Sequence, residues 1–209
     1  MKYFLKNPGL MVVNGVNGET YAGGSQEWYL DAWHKRAGCG PVAASAVIWY
    51  MARPGFPPGA VSERDLFLAL MDEMITYVKP TVRGVNTPAI FTDGMARYVL
   101  THNLNLTSRV LEIPELTKKR PPPGQLAAFV IKAVQSDAPV AFLNLSNGSL
   151  KNLDNWHWVT IVAFDDVAMV ADVCDQGQTF GVDLGEWLAT TALGGAFVYL
   201  TPGDAPADI

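Results

Sequence analysis

The sequence predicts an α+β fold, with a helical lobe over about residues 25–135 packed on a mostly antiparallel sheet lobe over about 136–202. Three observations predict it. Apolar residues recur at helical spacing up to the proline run Pro121-Pro122-Pro123, the period then changes to short β-branched runs, and no internal repeat or long linker divides the chain. With 209 residues, 49% of them hydrophobic, the chain has enough apolar material for one sizeable core, so a single domain over 1–209 is expected.

The first helix is expected over 41–52, where Pro41 suits the opening turn and Val42, Ala43, Ala46, Val47 and Tyr50 recur on buried faces, with Pro54-Gly55 as the stop. A second begins after Ser62, with Asp65 three residues on and Leu66, Leu70, Met74 and Tyr77 at helical intervals, and ends at Lys79-Pro80. A third lies within 92–103, where Met95, Tyr98 and Val99 share a face, and a fourth covers 125–135. Strands follow at 139–145, 156–164, 167–173 and 195–201, with a short helix at 183–189 before the last.

Composition narrows the function classes. Fifteen Lys and Arg against twenty Asp and Glu give a net charge of −5, and Lys118-Lys119-Arg120 beside the prolines reads as a solvated loop, so nucleic acid is not an expected partner. No apolar run reaches the roughly 18–20 residues that cross a bilayer, and Met1 to Pro8 lacks the apolar stretch of a secretory signal, so a cytoplasmic location without a membrane partner is expected. Two cysteines, Cys39 and Cys174, do not make a disulfide framework, and a structural bridge is not expected in a reducing compartment.

Ala37-Gly38-Cys39-Gly40-Pro41 carries the clearest chemical signal. It sets a cysteine immediately before a buried helix, whose free N–H groups and positive dipole end favour a thiolate. Gly38 and Gly40 are read as leaving room beside the sulfur for a substrate backbone. A thiolate nucleophile needs a base. Of His34, His102 and His157, only the last stands in a strand-like run, between Trp156 and Trp158, which are read as shielding it and contacting substrate. His34 reads as a surface or rim residue and His102 as a capping or exposed residue.

A third group must fix the imidazole. Pairing residues outward from a tight Asp165-Asp166 turn sets His157 opposite residue 174, which favours Asp172 as that group and points Asp175 to the other face unless a bulge intervenes.

These residues resemble a papain-like cysteine peptidase, and more narrowly the bacterial branch related to the double-glycine leader peptidases. The motif Gly38-Cys39-Gly40-Pro41 resembles the nucleophile segment, the run from His157 to Val162 the histidine strand, and Val170-Ala171-Asp172 the aspartate strand. The resemblance implies attack of a thiolate–imidazolium pair on a peptide or other amide, an acyl-enzyme intermediate, and no metal or organic cofactor. It also implies an oxyanion hole built from the cysteine N–H and an upstream glutamine. Trp33 occupies the nearer slot where that glutamine commonly stands, which leaves Gln26 as the expected donor. The same triad serves acyltransferases, and the scaffold also occurs as a binding module without activity.

Overall fold

The computed structural model describes residues 1–52 and 62–203, so the expected stop at Pro54-Gly55 lies outside the described residues. The chain is mixed α+β. In order it forms β1 (Lys2–Phe4), β2 (Val12–Asn14), β3 (Thr20–Ala22), α1 (Ala32–Ala37), α2 (Cys39–Ala52), α3 (Glu63–Tyr77), α4 (Pro88–Thr101) and β4 (Leu106–Ile113). The second half adds α5 (Pro123–Gln135), β5 (Val140–Asn144), β6 (His157–Asp165), β7 (Val170–Asp175), β8 (Gln178–Asp183), α6 (Leu184–Thr190) and β9 (Gly195–Pro202).

Local chemistry explains the helix boundaries. Ser62 caps α3 by accepting from the Asp65 N–H, and its hydroxyl donates to the Asp65 carboxylate at 2.7 Å. Asp31 caps α1 through the N–H groups of Trp33 and His34, and Asp183 caps α6 through that of Glu186. Pro88 and Pro123 open α4 and α5, where a missing N–H costs nothing.

Seven strands form one antiparallel sheet in the order β4-β9-β5-β6-β7-β8. The seventh, β1, pairs with Ala163–Asp165 of β6, beyond the stretch His157–Ile161 that pairs with β5. Strand alternation then divides the core in two. Ala141, Leu143, Trp158, Ala196 and Val198 pack with α2, α3 and α4, while Val140, Phe142, Val159, Ile161, Phe197 and Tyr199 pack with α5 and α6. Helices therefore cover both faces of the sheet, and α5 lies on the face opposite α2 instead of joining one helical lobe.

The pairing around His157 also differs from expectation. The β6–β7 connection spans residues 166–169 rather than two residues, with the Asp165 carboxylate accepting from the N–H groups of Val167 and Ala168. A bulge between Ile161 and Ala163 shifts the register again, so Cys174 stands opposite Thr160.

Candidate active site

Helix α2 begins at Cys39 and is buried on nearly every side, with Ala43, Ala44, Ser45 and Ala46 letting it sit closely against the sheet. That packing fixes the sulfur. The two flanking glycines serve the same end: a Cβ on Gly38 would lie 2.4 Å from the His34 carbonyl oxygen and 2.5 Å from the Tyr29 ring, and one on Gly40 would lie 2.8 Å from Val85. Gly38 is thus a buried packing position and not the substrate contact expected of it.

His157 is the first residue of β6 and is buried. Its Nε2 hydrogen-bonds the Asp175 carboxylate at 2.8 Å, which leaves Nδ1 as the nitrogen available to the neighbouring Cys39. Burial acts to lower the pKa of His157. The hydrogen bond and charge of Asp175, together with the nearby Cys39, outweigh it and push the pKa up to about 10. Burial pushes the Cys174 thiol up to about 11, and both cysteines are free.

Asp172 does not reach the imidazole. It stands opposite Ala163, and its carboxylate pairs with Lys2 of β1 at 2.7 Å. The longer turn and the bulge move the register so that Asp175, the last residue of β7, takes the orienting position. Three residues apart on one regular strand, the two carboxylates face opposite sides of the sheet.

Trp156 and Trp158 separate likewise. Trp158 is buried in the core, stacked on Phe91 with centroids 4.3 Å apart and donating its N–H to the Val85 carbonyl at 2.6 Å, so it is a core residue and not a substrate contact. Trp156 is half exposed and holds a left-handed backbone at φ 57°, strained for a bulky residue. Its carbonyl oxygen lies 4.0 Å from the Cys39 sulfur.

Gln26 opens a single 3-10 turn over Gln26–Trp28 and lines a narrow crevice of about 10 Å³ together with Cys39, Ala43, Cys174 and Asp175. Its Oε1 is buried without a hydrogen-bond partner among the described residues. The segment before it is clipped to the β7–β8 turn: Ala22 N–H donates to the Gly177 carbonyl at 2.8 Å, Gly177 N–H to that of Gly24 at 3.2 Å, and the Ser25 hydroxyl to the Gln176 side chain at 2.6 Å. One clip therefore holds both Gln26 and Asp175.

On its other side Cys39 opens to a cleft of about 590 Å³, walled by Trp33, Arg36, Val82, Arg83 and Trp156. Sequence reasoning missed Arg36, Arg83 and Val82, since no periodic pattern marks a loop wall. It also missed Asn144, a fully buried side chain paired across from His157. Asn144 donates to the Asp154 carbonyl and accepts from the Trp187 indole at 2.8 Å, fixing the loop that leads into His157. His34 packs edge-on against Tyr29, and His102 caps α4 with its Nε2 2.8 Å from the Glu73 carboxylate.

Among the described residues no group of three or more His, Cys, Asp or Glu is arranged to hold a metal ion, and no helix is long and apolar enough to cross a membrane. No protein-family model and no curated protein matches this chain.

Proposed function

We propose that the chain is a thiol hydrolase of papain-like type, acting on a peptide or another amide through Cys39, His157 and Asp175. One arrangement carries this reading: Cys39, at the start of a buried helix and on the wall of an open cleft, neighbours His157, whose Nε2 is held by Asp175.

The chemistry follows from the placement. The Cys39 thiolate attacks the carbonyl carbon, forming a C–S bond, while the oxyanion takes hydrogen bonds from the Cys39 N–H and the Gln26 amide. The imidazolium of His157 then gives its proton to the leaving nitrogen as the C–N bond breaks, and a thioester remains. Water next gives a proton to His157 and attacks the thioester, releasing the acid and restoring the thiolate–imidazolium pair. Asp175 holds Nε2 throughout, which keeps Nδ1 aimed at sulfur.

Alkylation with iodoacetamide at pH 6 tests the reading, because a thiolate paired with an imidazolium stays nucleophilic where an ordinary thiol does not. Cys39 is expected to label at least about tenfold faster than Cys174. Equal rates would overturn the assignment.

A further inference from the structure

The cleft beside Cys39 has a charge character of its own. Within a chain of net charge −5, the charged side chains walling it are Arg36 and Arg83, and no carboxylate lines it among the described residues. Both arginines are exposed, and neither makes an ion pair among the described residues.

Arg83 is presented by a rigid turn. Thr81 N–H donates to the Gly84 carbonyl at 3.1 Å, Gly84 N–H returns the bond at 2.8 Å, and the Arg83 N–H donates to the Thr81 hydroxyl at 3.1 Å. The next residue, Val85, is buried and tied to the Trp158 indole, so the turn is anchored to the core. Arg36 comes from the last turn of α1, whose start is capped by Asp31. Two guanidinium groups on fixed supports, flanked by the exposed apolar surfaces of Trp33, Val82 and Trp156, suit a partly apolar ligand that carries a carboxylate.

Resting on the hydrolase reading above, we infer that this cleft selects substrates with a carboxylate close to the scissile amide, held by Arg36 and Arg83. The carboxylate belongs to an acidic side chain or to a free chain end, and both present the same planar oxygens to the two guanidinium groups.

Iodoacetate and iodoacetamide test this without knowledge of the natural substrate, since each transfers its CH₂ group to the thiolate as a C–S bond forms, C–I breaks and iodide leaves. They differ mainly in the negative charge. The readout is the ratio of the iodoacetate to the iodoacetamide rate at Cys39. The R36Q/R83Q double variant is expected to lower that ratio by about tenfold at low salt, and 0.5 M salt to lower it in the unaltered protein, as for an electrostatically focused site. R109Q, which removes an exposed arginine on β4, leaves it unchanged.

Fast iodoacetamide labelling with a ratio that ignores both arginines overturns this inference alone. Iodoacetamide labelling no faster than at Cys174 overturns the hydrolase reading and the inference with it. Protection of Cys39 by acetylated tripeptides then identifies the carboxylate's source: Ala-Glu-Ala amide if a side chain, Ala-Gln-Ala free acid if a chain end. Equal protection by neutral Ala-Gln-Ala amide, or protection by none of the three, counts against carboxylate selection.

Discussion

Asp172 and Asp175 are chemically identical and three residues apart, yet one meets Lys2 and the other meets His157. Their roles should separate cleanly on substitution. Asp175→Asn is expected to slow Cys39 alkylation and any hydrolysis by roughly 10²-fold or more, because a carboxylate that fixes tautomer and direction is lost. Asp172→Asn removes only a surface ion pair, worth about 0–1 kcal/mol, and should leave the alkylation rate within about twofold. Parallel rate measurements on the two variants decide the point, and equal losses would refute it. At this scale Cys39 and His157 were legible because each sits in a distinctive local setting, a Gly-flanked helix start and a strand between tryptophans. The third group was not, since its identity depends on a turn length and on one bulged residue, neither of which has a strong sequence signal.

Elements with strong periodicity were readable in sequence: α3, α4, α5 and the strands β5, β6 and β9 lie within a few residues of the predicted spans. Those with mixed patterns were not. β4 is exposed at Thr107, Arg109, Val110 and Glu112, and β8 carries Gly181 in its interior, so neither shows the continuous apolar run of a buried strand. Helix α2 places Cys39 by close packing, and this has a measurable consequence. Gly40→Ala forces a methyl against Val85, a residue that cannot easily give way because it is buried and its carbonyl holds the Trp158 indole. A loss of about 1–3 kcal/mol is expected in urea unfolding. An unchanged midpoint would mean that the helix start is looser than its contacts indicate.

The whole molecule couples the site to stability, because the folded state keeps a proton on His157 that the unfolded chain releases near pH 6.5. The resulting stabilisation is complete below about pH 6.5 and is lost as pH rises toward about 10, the direction in which burial of Cys174 also acts. With the Cys39 and His157 pair sharing one proton, the urea midpoint should fall chiefly between about pH 8.5, where thiols of the unfolded chain ionise, and 10, and His157→Gln should reduce that slope; a slope unchanged by the substitution would assign it elsewhere. The two-faced core was only partly legible, since the sequence fixes which residues are apolar but not which side of the sheet receives α5. The clip joining residues 22–25 to residues 176–177 carries a final consequence. The proposed oxyanion donor, Gln26, and the carboxylate that holds the imidazole, Asp175, hang from its two ends, so they engage or fail as a pair. Anything that pries the amino-terminal arm loose from that hairpin would silence both at one stroke, while the sulfur itself stays in place.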